Sequence, residues 1–459
     1  MNRRSRTIAA LFFALLVFVA AGLLFPATSA AQQPQAPSNT PPPSSSRPPN
    51  SGQVRGYTLP PSQEAQAVAY AHARHELYFI DVAYGLLLLV LILNLRIAPK
   101  YRDWAANWTD SSFGQIVVFT PLLMLTADVL SLPTAIWAHR LALQYHQSIQ
   151  DWGSWLADWL KGEGVQIALG ILIAWLLFTV IRKSPRRWWL YFWLAAVPLI
   201  ILGAVAEPLI IEPLFFKFAP LANAEPQLAK RIEQMTIRAG VPIPQSRIFE
   251  MAASAKLNEL NAYVTGLSAS KRVVIWDTTI QKTSNDESLF IVGHELGHYV
   301  LGHVRQGFLL GAAGLLLSLY FLFRGLHWAM DRWAKDWKLY GQEDWASLVV
   351  LLLLLQVLTF VSSPVISGYR RMQEHAADVY GLEVIHGLVP DSEEVAAHAF
   401  QVLGEMDLSD PNPPPFITFW LYSHPPLAER LVFAHGYDPW SKGKSPKYVK
   451  LPFMKRVAH

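Results

Sequence analysis

Six long apolar runs alternate with polar segments along this chain: 77–95, 114–138, 165–181, 188–206, 308–323 and 345–366. Each approaches the roughly 20 residues that a helix needs to cross about 30 Å of hydrocarbon. The pattern therefore predicts six spanning helices, the second interrupted by Asp128 and Pro133. A seventh apolar run lies within 1–31, between the basic start MNRRSR and the small residues ATSAA. That layout reads as a signal peptide, with an uncleaved signal anchor as the rival because the run is nearly long enough to span.

The polar segments divide differently. Residues 32–62 are rich in Pro, Ser and Gln. They have almost nothing to bury and read as a disordered extracytoplasmic linker. Two larger polar blocks, 207–307 and 367–459, together make about one domain. The first predicts a helix over 228–240 and strands over 246–250, 261–267 and 271–278. The second predicts helices over 369–387 and 392–406, a Pro-rich loop at 410–415 and a helix from about Pro426. Asp391 and Glu394 form a capping-box start for the 392–406 helix. The expected domains are thus 63–206 (membrane helices), 207–307 (first part of a second domain), 308–366 (two further spans) and 367–459 (its second part).

Composition agrees with a membrane protein. The chain has 459 residues, 52% hydrophobic and only 16% charged, against about 25% charged in soluble domains. The formal net charge of +4 is small and scattered, which argues against a nucleic-acid partner. With no cysteine, disulfides, thiol nucleophiles and thiolate metal sites are excluded. Trp188, Trp189, Trp337 and Trp345 flank apolar runs, as interfacial anchors do. Basic clusters sit at Arg3/Arg4/Arg6, Arg96/Lys100/Arg102, Arg182/Lys183/Arg186/Arg187 and Arg324/Arg332/Lys335/Lys338. Placing all four in the cytoplasm is consistent with alternating spans and turns both polar blocks outward.

The chemistry concentrates in IVGHELGHYVLGH at 291–303. Ser284 and Glu287 form a capping box just before an apolar run, which predicts a helix over 285–303. On it His294 and His298 are i and i+4, stacked on one face as two ligands of a tetrahedral zinc. Glu295 lies about 100° further round the helix, placed for a water at the metal rather than the metal itself. This is H-E-x-x-H with a general base. The motif also arises by chance, but here it is capped and carries small residues (Gly293, Gly297, Gly302) that admit other groups. His303, about 140° from His298 round the same helix, falls off the ligand face and reads as structural. The third ligand must come from elsewhere. Glu374 offers it, with Asp378 one turn on to orient a ligating histidine. Alone, that pair would read as an ordinary solvated helix face.

With these blocks in place the chain resembles the integral-membrane zinc metallopeptidases of the CaaX prenyl endopeptidase type. Those enzymes process the a-factor precursor and prelamin A, and the bacterial heat-shock membrane proteases are relatives. The resemblance rests on HELGH at 294–298, Glu374 to Asp378 with Arg371 just before, IEPLFFKFAPL at 211–221, NAYVTGL and KRVVIWDT at 261–267 and 271–278, and LYSHPPLAERL at 421–431. It covers roughly 77–440. It implies a fold that is mainly α: a polytopic bundle of six or seven spans, expected to enclose a chamber, with a small α+β zincin-type catalytic domain split by two spans. It implies one zinc per chain, held by His294, His298 and Glu374, with Glu295 as base. His424 and Arg430 would sit near the metal, helping an oxyanion or positioning the site, and Arg371 and Asp378 would support the ligands. The backbone of Asn261, Ala262, Tyr263 and Val264 would pair with an extended peptide. Taken without the family, His424 and Arg430 read as a helix cap and a surface ion pair.

The expected activity is endopeptidase cleavage of membrane-associated or C-terminal peptides, in a multi-pass protein of a bacterial inner membrane. One rival, a quality-control protease of broad specificity, shares every residue named; against the other, a non-catalytic chamber with a relic zinc site, stands the intact base Glu295. Eukaryotic members turn the catalytic region to the cytosol, opposite to the basic-residue count here. Nothing in the chain indicates oligomeric state or a prenylated substrate.

Overall fold

The computed structural model describes residues 56–256, 259–266 and 271–449. The signal-like segment and most of the expected linker lie outside the described residues. Five long or linking helices come first: α1 (Pro61–Asn94), α2 (Ile97–Trp108), α3 (Ser112–Gln144), α4 (Trp152–Lys183) and α5 (Trp188–Ala206). A π-helical turn at Glu207–Ile211 leads into α6 (Glu212–Phe215), β1 (Phe218–Pro220), α7 (Leu221–Ala224) and α8 (Pro226–Arg238). Then come β2 (Ile248–Met251), β3 (Ala262–Thr265), β4 (Arg272–Trp276), α9 (Asp277–Lys282) and α10 (Asn285–Val300). The remainder is α11 (His303–Trp333), α12 (Leu348–Ile385), α13 (Ser392–Met406), α14 (Pro415–Trp420) and α15 (Leu427–Gly436).

Among the described residues, six helical segments are long and apolar enough to cross a membrane. Apart from Leu95, which caps the first helix, they contain the six apolar runs and extend beyond them, because the helical hydrogen-bond ladder continues past the point where side chains turn polar. The clearest case is α12. The sequence predicts a span at 345–366 and a separate helix at 369–387; the chain runs through Gly368 as one helix to Ile385. That continuity carries the end of a long apolar helix directly into the second polar block.

Three of the basic clusters meet at one end of the bundle. Arg96 Nε donates to Asp336 O (2.9 Å), Arg102 Nη1 to Asp344 Oδ2 (2.5 Å) and Arg182 Nη2 to Glu343 O (3.3 Å). A membrane-helix core containing Phe119, Phe178, Trp188 and Trp345 lies toward this end.

A second core builds the other region. It gathers Leu221, Ile232, Ile248, Phe290, Leu296, Val384, Phe400 and Leu431. It also takes in Tyr57 and Leu59, which are 3% and 8% exposed. The end of the expected linker is therefore part of a folded core, and α1 begins at Pro61 within it. The sheet has the order β1-β2-β4-β3, with β2 and β4 parallel and the other pairs antiparallel. In that order β3 is an edge strand.

Candidate active site

The capping box on α10 forms as the sequence predicts: the Ser284 side chain accepts from Glu287 N, and the Glu287 side chain accepts from Ser284 N at 2.9 Å. This fixes the start of the helix and hence the direction of His294 and His298. The helix ends earlier than expected, at Val300. Gly302 has φ +73°, a left-handed turn that glycine adopts without steric cost. His303 thus opens α11 instead of continuing α10. The helical-wheel argument that removed it from the ligand face does not apply. Its Nδ1 lies 3.1 Å from His298 Nδ1, so His303 braces the second histidine.

α10 and α12 cross closely because glycines line the contact. A Cβ on Gly381 would fall 3.1 Å from the backbone nitrogen of His294, and one on Gly297 would fall 3.0 Å from Tyr380. This approach delivers Glu374. His294 Nε2 lies 3.1 Å from Glu374 Oε2, His298 Nε2 lies 3.2 Å from His294 Nε2, and His298 Nε2 lies 3.6 Å from Glu374 Oε1. Zinc bonds of about 2.0–2.2 Å imply tetrahedron edges of about 3.3–3.6 Å, so the spacing and the N, N, O donor set suit such an ion. Among the described residues, His294, His298 and Glu374 are the group whose donor atoms converge in this way.

Around this triangle the remaining expected residues take distinct places. Glu295 Oε1 is 3.9 Å from His294 Nε2. Burial pushes its carboxyl above the usual carboxylate range, against the pull of His294 and His298. His294 Nδ1 lies 2.8 Å from Asp378 Oδ1. Burial alone would lower the His294 imidazole; Asp378 and Glu374 outweigh it and raise its pKa to about 10. Asp378 is fully buried and also takes both prongs of Arg430, at 2.9 Å from Nε and 2.6 Å from Nη2. Arg430 therefore grips the orienting carboxylate. His424 Nε2 is 3.3 Å from Glu374 Oε2, and its Nδ1 is 3.0 Å from Ser423 Oγ. The hydrogen bonds of Arg371 run to the carbonyls of Thr418 and Tyr422. It reaches the site through the chain leading to His424 and not through a ligand.

β3 is shorter than expected, and its neighbour Leu267 lies outside the described residues. Asn261 precedes the strand. Its carbonyl accepts from Trp276 N (3.0 Å) and Thr279 Oγ1 (2.9 Å), and its N–H donates to Thr279 Oγ1 (2.8 Å). Its backbone is thus spent inward. In an antiparallel ladder the outward-facing residues alternate with such inward ones, which leaves Ala262 and Val264 with their backbone groups toward the open edge. Tyr263 Oη donates to Glu212 Oε2 (2.9 Å), which also holds Arg272 (2.7 Å). This trio ties the edge strand to the segment leaving the membrane. Thr279 and Glu212 were not singled out by the sequence; a threonine after a strand and a glutamate after a span are common features.

The comparisons with known proteins bear on this arrangement. Residues 222–437 match peptidase family M48, and residues 49–217 match the CAAX prenyl protease N-terminal family of five membrane helices. The chain is 34% identical to an uncharacterized metalloprotease, YhfN, of Bacillus subtilis, over 82% of this chain and 86% of the relative. The chain belongs to peptidase family M48. As a member of that family it is a membrane-embedded metalloprotease. It is also 25% identical to CAAX prenyl protease 1 of Saccharomyces cerevisiae, over 79% of this chain and 83% of that one. In fold it is similar to the crystal structure of S. mikatae Ste24p, with a TM-score of 0.72 at 23% identity, covering 94% of this chain and 97% of that one.

Proposed function

We propose that this M48 protein is a zinc-dependent endopeptidase with one ion per chain, acting on extended segments of membrane-associated or C-terminal peptides. The observation that carries the proposal is the His294, His298 and Glu374 triangle, with Glu295 beside it and an open sheet edge nearby. When bound, zinc supplies a Lewis acid that polarises the scissile carbonyl and brings the pKa of its water towards about 7. Glu295 takes the proton of the attacking water and passes it to the leaving amine. Its raised pKa suits both halves of that transfer. Asp378, held by Arg430, fixes which ring nitrogen of His294 carries the proton. His303 does the same for His298. His424 offers an imidazole donor where charge develops on the substrate oxygen. Ala262 and Val264 accept an added strand, which holds the peptide extended.

The basic end of the bundle lies on the cytoplasmic side in this reading, with the active site on the outer face of a bacterial inner membrane. Purified protein in detergent tests the activity. One zinc per chain is expected, with peptide cleavage abolished by a chelator and restored by zinc. Cleavage that survives complete zinc removal overturns it.

A further inference from the structure

The segment after α13 has features that the peptidase reading does not use. Residues 411–422, PNPPPFITFWLY, carry no charged side chain. Within them α14 leaves Phe416 and Phe419 more than half exposed, at 56% and 54%. Phe416, on its covered side, and Trp420 pack on membrane helices. Phe416 stacks on Phe79 of α1, with ring centroids 6.3 Å apart, and Trp420 lies 5.0 Å from Phe360 of α12. Phe79 and Phe360 both belong to the apolar runs at 77–95 and 345–366. Phe360 sits six residues inside the end of its run, about 9 Å at the helical rise. The exposed rings therefore continue the apolar band of the spans.

The backbone of the segment is also prepared for a dry environment. Water cannot satisfy free N–H and C=O groups in hydrocarbon. Pro413, Pro414 and Pro415 remove three N–H groups at the start of α14. Past its third residue three carbonyls, those of Thr418, Trp420 and Tyr422, are taken by side chains of α12: Arg371 Nη1 donates to Thr418 O at 2.8 Å and to Tyr422 O at 2.5 Å, and Ser367 Oγ to Trp420 O at 3.4 Å. Two residues beyond Tyr422 is His424, beside Glu374.

We infer that residues 413–420 are immersed in the bilayer and that this lipid contact, relayed through Arg371, positions His424. The catalytic region then has a lipid anchor of its own, separate from the six spans. Phe416 and Phe419 are positioning residues in this account. They touch lipid, and the backbone between them and His424 is clamped to α12.

The absence of cysteine makes the test direct, since one introduced thiol is the only labelling site. A nitroxide on Phe419→Cys, in nanodiscs of phosphatidylcholine and phosphatidylglycerol, is compared with Leu202→Cys in a span and Lys442→Cys on an exposed loop. Oxygen collisions should exceed those with a water-soluble nickel chelate, as at Leu202→Cys. Nickel access equal to that at Lys442→Cys, whether from outer water or a water-filled interior, overturns the immersion. This arm does not depend on the peptidase reading. A second arm does. Phe416→Ser with Phe419→Ser should lower kcat in nanodiscs by about tenfold to a hundredfold, with zinc content and KM kept, and Phe416→Leu with Phe419→Leu should restore it. Unchanged kcat in the serine variant overturns the relay to His424.

Discussion

Asp378 joins His294 to Arg430: one carboxylate lies 2.8 Å from His294 Nδ1 and 2.6 Å from Arg430 Nη2, with no solvent exposure. An isolated buried carboxylate is costly, and the bidentate arginine compensates it. Asp378→Asn keeps the shape but weakens the orientation of His294. Loss of such a partner typically costs about 10–100-fold in metal affinity. Zinc affinity by competition with a chromophoric chelator should fall by that range. An unchanged affinity would remove Asp378 from the site's support. Arg430→Ala is the harsher change, leaving the carboxylate unpaired, and should cost about 3–5 kcal/mol of stability, read as a lower chemical-denaturation midpoint.

His303 faces His298 at 3.1 Å between Nδ1 atoms. A ligating histidine commonly gives its other nitrogen's proton to such a partner. His303→Ala should weaken zinc by about tenfold or more while leaving Glu295 in place. His303→Asn, which can still accept a hydrogen bond, should recover part of the loss. Equal zinc affinity in all three proteins would return His303 to a packing role.

The pH dependence of metal binding follows from His294. Its folded pKa of about 10 is above the ordinary 6.5, so in zinc-free protein the charged imidazole stabilises the fold fully below about 6.5. That contribution is lost as pH rises through 10. Zinc requires the neutral ring, so its binding must release this proton. Calorimetry in buffers of different ionisation enthalpy should show proton release on zinc binding between pH 7 and 9, and apparent affinity should rise with pH across that window. Binding without proton release contradicts the His294 assignment.

The edge strand makes a positional prediction. Val264 presents its N–H outward, while Tyr263 is engaged with Glu212. Replacing an outward N–H by N-methyl or proline removes a bond to an added strand but no bond inside the sheet. Val264→Pro should raise KM for extended peptides at least severalfold with zinc retained. An unaltered KM would place the peptide elsewhere.

Much of this site could be read from residues alone, and the misses have physical causes. The i, i+4 histidines and the capping box are local, so α10 and the shared face of His294 and His298 follow from short-range geometry. Glu374 and Asp378 could be offered as partners only because H-E-x-x-H needs a third ligand, since their contact depends on a helix crossing at Gly293, Gly297 and Gly381 that no local pattern shows. His303 stays outside the converging ligand group as expected, but it sits on the next helix because Gly302, at positive φ, breaks the first one and looks like the other small residues of the motif. The partition of α12 failed for a different reason. A change from apolar to polar side chains marks the membrane boundary, but it does not end a helix. The burial of Tyr57 and Leu59 is a tertiary outcome that a proline-rich composition hides.

The central claim is that Glu295 moves the proton in a metal-dependent peptide cleavage. Glu295→Gln is nearly isosteric and touches no ligand bond. The purified variant should hold one zinc per chain, as the parent does, while its rate on a fluorogenic peptide falls by about 10²–10⁴-fold, the usual contribution of a positioned base. Cleavage at the parent rate with zinc retained would contradict the account.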